Sequence, residues 1–262
     1  MQDNQAFRAL FTLPAINASV STSLVVPEVP KPKNETGDRE VDAVLWLQDV
    51  VRTGHQPHIE MALEAAKRIK TPMKELGVRY SSYLMRQHGS SVMAAFGSMG
   101  FGELESSARG AIERKKKQHA ALSRFGSIEA LFGETAAEKV CKKALRGLKR
   151  NKDSFYRYDD EQAEERFART ADLIPQTLAD CLHEQAYWRE LYWLRAPFDG
   201  YVGDPHPAGQ AHDDYCFAML GKIAPRTKDE ALSVFEHLEE HDATDRAEGP
   251  DIIRNLIAGG WA

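Results

Sequence analysis

Apolar residues recur every three or four positions along most of this chain and almost nowhere alternate with polar ones. That spacing gathers side chains on one side of a helix, whereas a half-buried strand needs every second residue apolar. After Asp38, the residues Val41, Val44, Leu45, Leu47 and Val50 form such a stripe, and Gly54 ends it. Ile59, Leu63, Ala66 and Ile69 form a second one behind Pro57, a residue suited to a first helical turn. Thr71-Pro72 restarts the chain as cap and first helical residue. The same pattern predicts helices over about 72–87, 90–97, 103–123, 127–132, 135–150, 160–172, 176–195, 211–223, 228–241 and 250–258. Thr22 to Val26 is the one credible strand segment.

An all-α, multi-helix fold follows. We expect two packed helical subdomains, 37–150 and 151–262, meeting near 151–160, behind a flexible arm over 1–36. Pro27, Pro30 and Pro32 favour an extended backbone in that arm. Phe7, Leu10, Phe11 and Leu13 could line one side of a short helix within it. Such a helix docks either in a groove of a partner or back on its own domain.

With 262 residues, 42% of them hydrophobic and 28% charged, the chain can build real cores. No stretch approaches the ~20 apolar residues that span a bilayer, and the first residues lack the basic and apolar segments of a secretory signal. Cys141, Cys181 and Cys216 are odd in number, widely spaced and without C-x-x-C, which argues against a disulfide framework or a zinc ribbon. A cytoplasmic protein with reduced thiols and no membrane association is expected. The sequons at Asn17 and Asn34 then match by chance.

The charge is unevenly laid out. Residues 109–152 carry 13 Lys and Arg against 4 Asp and Glu, within a chain of net charge −5. Arg114, Lys115, Lys116 and Lys117 lie in one predicted helix. Lys139, Lys142, Lys143, Arg146 and Arg150 share a face of the next long one, by their 3, 4, 7 and 11 residue offsets. A one-faced basic helix can bind phosphates and release counterions, can dock on an acidic protein, or can simply be solvated beside acidic neighbours. Tyr187, Trp188, Tyr192, Trp193, Phe198 and Tyr201 crowd the stretch before and into a Gly- and Pro-rich loop, 196–209. Core packing is the default for such residues, but Trp188, Trp193, Phe198 and Tyr201 are also candidates for a partner-binding surface.

Other patterns are incomplete. A helix-turn-helix could be drawn over 62–86 with Glu75-Leu76-Gly77-Val78 as its turn, although Pro72 would then fall inside the first helix. His183-Glu184 begins an H-E-x-x-H pattern, but Tyr187 stands where the second His belongs. His183, Glu184, His206 and His212 could converge only through the fold. Cys141 sits among Lys139, Lys142 and Lys143, which would lower its pKa if it were exposed. Gly221-Lys222 lacks the earlier Gly and the following Ser or Thr of a phosphate loop. Of the four Phe-Gly pairs, at 96, 101, 125 and 132, some should close helices with a left-handed Gly.

No catalytic set and no cofactor is indicated. The expectation is a non-enzymatic helical interaction or regulatory protein that binds another protein through basic and aromatic surfaces. The alternatives are a nucleic-acid-associated accessory protein using the basic helices of 109–152, and a metal-dependent enzyme built on His183, Glu184, His206 and His212.

Overall fold

Short polar side chains stand at the head of many of the helices and set where each begins. The computed structural model describes residues 2–17, 26–89, 91–151, 157–198 and 203–259. Along them run α1 (Gln5–Leu10), α2 (Arg39–Arg52), α3 (Gln56–Ala66), α4 (Met73–His88), α5 (Ser91–Ser98), α6 (Leu104–Phe125) and α7 (Ile128–Phe132). They are followed by α8 (Ala136–Ala144), α9 (Asp160–Phe167), α10 (Leu178–Arg195), α11 (Pro207–Met219), α12 (Lys228–Glu240) and α13 (Gly249–Ala258). No strand occurs among the described residues beyond a single bridge between Asn151 and Arg157. The fold is all-α. The strand expected at 22–26 lies outside the described residues except for Val26. No helix is long and apolar enough to cross a membrane among the described residues.

The chain divides into two compact units, Ser19–Ala120 on one side and Met1–Ala18 with Ala121–Ala262 on the other. The division falls within α6 and at residue 18, not at the 151–160 boundary that composition suggested. In the 19–120 unit, Asp38 caps α2 by accepting from the backbone N–H of Glu40 and Val41, at 3.0 and 3.3 Å. The predicted stripe then splits between two aliphatic clusters. Leu47, Val50 and Val51 pack with Ile59, Ala62, Leu104 and Ala108, while Val41 and Val44 pack with Leu76. Segment 26–36 is tied to these helices: Trp46 Nε1 donates to the Pro30 carbonyl at 2.7 Å, Tyr83 Oη donates to that of Glu35 at 3.0 Å, and Thr36 donates to Asp42. Glu75 to Val78 lie inside α4, so the helix-turn-helix reading is lost.

The other unit is built around α10, which packs against α1, α11 and α12. Its core holds the rings of Phe7, Phe11, Phe167, Trp188 and Phe217. Residues 2–17, expected within the flexible arm, close on this core. Phe7 and Phe11 are fully buried. The Asn4 N–H donates to Asp180 at 3.0 Å, and Arg8 Nε donates to the same carboxylate at 2.6 Å. Helix α8 stops at Ala144 rather than at 150, because the backbone turns over Leu145 to Gly147, where φ reaches 90°. Helix α11 starts at Pro207, four residues before expectation, with the His206 ring capping it through a 3.1 Å bond from the Ala208 N–H. The Gly and Pro that read as loop serve packing here: a Cβ on Gly209 would stand 2.8 Å from the Trp188 ring, so only glycine lets α11 approach α10 this closely.

Candidate functional site

Two groups of side chains carry the chemistry of the 121–262 unit, one on its surface and one at its centre. The surface group is the basic side of α8. Thr135 and Glu138 form a reciprocal cap: the Glu138 N–H donates to Thr135 Oγ1 at 3.2 Å, and the Thr135 N–H donates to Glu138 Oε2 at 2.8 Å. Glu138 is buried and also takes Arg195 Nη1 at 2.8 Å and Nη2 at 3.1 Å, while Arg195 Nε donates to the Leu131 carbonyl at 3.0 Å. Burial pushes the Glu138 carboxyl up, but the Arg195 hydrogen bonds, the Thr135 N–H and the Arg195 charge outweigh it and hold the group below its usual 4.5. With Ala137, Cys141 and Leu145 sealed in the core, α8 is pinned along its inner side.

Lys139, Lys142 and Lys143 on the other side, and Arg146 in the turn that follows, are exposed. Lys142 pairs with Glu134 at 2.5 Å. Lys139, Lys143, Arg146 and the neighbouring Lys149 have no ion pair among the described residues. Arg150, expected on the same helical face, lies beyond the turn at Gly147. The basic quartet of α6 is in the other unit and differently placed. The Lys115 stem lies over Gly54, Lys116 pairs with Glu113 at 2.6 Å, and Arg114 is half-buried. Lys117 is exposed. Cys141 is no reactive thiol: it is fully buried, and burial, with the charges of Glu184 and Glu138, pushes it well above its usual pKa.

The aromatic surface is smaller than expected. Trp188 is buried because α10 is covered on more than one side, Phe198 because it packs with Ala121, Leu131 and Leu194 beyond the end of that helix, and both leave the partner-binding set. Trp193 stays 54% exposed with Tyr192 edge-on to it, ring centroids 5.5 Å apart. Tyr201 lies outside the described residues.

The central group joins α10 to α11. Glu184, His212 and Cys216 have no solvent exposure. His212 Nδ1 stands 2.7 Å from Glu184 Oε1, and Cys216 Sγ is 3.8 Å from the same nitrogen. His212 Nε2 is 3.0 Å from the Leu173 carbonyl, which can only accept, so Nε2 carries a proton. A second proton must then bridge Nδ1 and Oε1. Trp188 Nε1–H donates to that same Oε1. Glu184 Oε2 has no hydrogen-bond partner among the described residues. The Phe11 ring stacks on His212 with centroids 5.0 Å apart, and Phe167 meets it edge-on at 4.8 Å. Burial pushes the Cys216 thiol well above its usual pKa, helped by its bond with Cys181 and the Glu184 charge.

Of the four residues considered for a metal site, the fold therefore unites Glu184 and His212 and separates the others. The His183 ring bonds the Arg8 carbonyl through Nε2 at 3.1 Å, and His206 is spent on its cap. Cys216 was missed, although its position four residues after His212 puts both on one helix face. No protein-family model, no curated protein and no solved structure matches this chain.

Proposed function

We propose that this is a helical binding protein that docks an acidic protein surface through the outer side of α8. The observation that carries this reading is a set of exposed cations without ion pairs among the described residues, Lys139 and Lys143 on a helix whose inner side is locked by Glu138 and Arg195, and Arg146 and Lys149 in and after the turn that ends it. Uncompensated charge on a rigid support attracts an opposite surface and orients it at little ordering cost. The exposed Trp193 adds an aromatic anchor of the kind interfaces favour. A nucleic-acid surface would draw on a longer basic band. On α6, Lys116 is already paired with Glu113.

The test compares the wild-type chain with the triple variant K139E/K143E/R146E in a pull-down from the native host, with and without nuclease. A discrete set of proteins that survives nuclease and is lost with the variant is the expected result. Partners retained by the variant would remove α8 from the interface. Partners that vanish with nuclease, and whose binding falls steeply with salt, would move the protein to the nucleic-acid class.

A further inference from the structure

We propose that Glu184, His212 and Cys216 hold a divalent transition-metal ion, zinc by the chemistry of its donors, as an internal strut between α10 and α11. The site is independent of the α8 surface and has no exposure through which a substrate could reach it. Its ligand atoms, one carboxylate oxygen, Nδ1 and Sγ, all lie within 4.8 Å of one another. An O, N and S set suits zinc better than magnesium or calcium, which take oxygen alone.

The surroundings fit a metal more closely than they fit a simple ion pair. His212 gives its Nε2 proton to the Leu173 carbonyl, the outer contact that turns the other ring nitrogen toward a metal. Glu184 Oε2 is fully enclosed and has no partner among the described residues, an arrangement that costs free energy unless something occupies it. A bidentate Glu184 brings that oxygen in as a fourth donor, the carboxylate taking one corner of the site with a bite narrower than the tetrahedral angle. One carboxylate and one thiolate also cancel the charge of a divalent ion, which a site closed by Phe7, Phe11, Phe167 and Tyr215 requires.

Distances define the adjustment. Tetrahedral zinc would set nitrogen and sulfur about 3.6 Å apart and nitrogen and oxygen about 3.3 Å apart. The first is close to the observed 3.8 Å, and the second needs the proton-bridged 2.7 Å pair to open by roughly 0.6 Å. On binding, the proton shared by His212 and Glu184 and the thiol proton of Cys216 leave to solvent. Nothing is oxidised or reduced. Cys181 keeps its own proton and can donate it to the Cys216 thiolate.

The test uses the full chain, purified without a His-tag, stripped with chelator under reducing conditions and dialysed against zinc or cobalt(II). We expect one ion per chain by elemental analysis and a thiolate-to-cobalt charge-transfer absorption. C216S should lose that band and C181S should keep it. E184Q should weaken zinc binding by more than the roughly 10–100-fold that follows loss of an outer contact. A wild-type chain that retains no stoichiometric metal overturns the proposal, whatever the folding of the variants. So does a charge-transfer band that persists in C216S.

Discussion

The two units are held together by different means. The 19–120 unit relies on aliphatic side chains, and its buried carboxylate, Asp42, takes the N–H and hydroxyl of Thr36, six residues away, on Oδ1. The other unit buries aromatic rings and charges whose partners are remote in sequence: Arg195 with Glu138 across 57 residues, His212 with Glu184 across 28, Arg8 with Asp180 across 172. Local partners form as soon as a helix forms. Remote ones fix which helices meet, and they make the unit sensitive to the loss of either member, because the survivor is left as an unpaired buried charge.

That contrast can be broken most sharply at Arg195. Arg195→Met should destabilise the 121–262 unit by about 3–5 kcal/mol, since Glu138 stays buried without its partner. Pairing it with Glu138→Leu should recover much of that loss. Urea unfolding of the single and double variants checks both expectations, and their equal stability would show that the pair sets nothing. In the 19–120 unit the comparable blow is Leu76→Ala, a fully buried side chain worth about 2–5 kcal/mol through a cavity alone. Calorimetry should show it moving a different part of the unfolding profile from Arg195→Met.

A smaller effect separates the units by pH. Burial, then the charges of His241 and Arg189, lower the half-buried His237 from 6.5 to about 4. A lowered pKa means the unfolded chain binds the proton more readily, so stability is full above 6.5 and declines as pH falls from there to about 4. Thermal melts of wild type and His237→Phe across that window should diverge, with the variant the flatter of the two. Smallest of all is Lys142→Ala. Lys142 pairs with Glu134 in the open, its side chain 52% exposed, so its loss should change stability by less than about 1 kcal/mol. A larger loss would mean that the outer side of α8 supports the fold.

How far the sequence spoke depended on whether the cause was local. Asp38 and the stripe from Val41 to Val50 marked α2 almost to the residue, because cap and periodicity are properties of one segment. The start of α11 was hidden, since Pro207 and Gly209 read as breakers until Trp188, far back in the chain, explains why a glycine must be there. The end of α8 was hidden too, because Lys and Arg favour helix and Gly147 alone marks the turn. At the central group, the sequence marks Glu184 and His212, but with His183 and His206 as companions. Adjacency in sequence puts His183 on another face of α10, where it meets α1 instead. Trp188, four residues after Glu184, reads from sequence as a packing or surface aromatic and is a hydrogen-bond donor to that carboxylate.

The docking of α1 also sets a timetable. Asn4 and Asp180 are 176 residues apart, so at ~5–20 residues per second some ~10–35 s of synthesis separate them. All of residues 19–120 are made in that interval. Phe7 and Phe11 therefore spend it as bare rings on a growing chain, and a ribosome-bound chaperone has a long opportunity to hold them before α10 and α11 arrive.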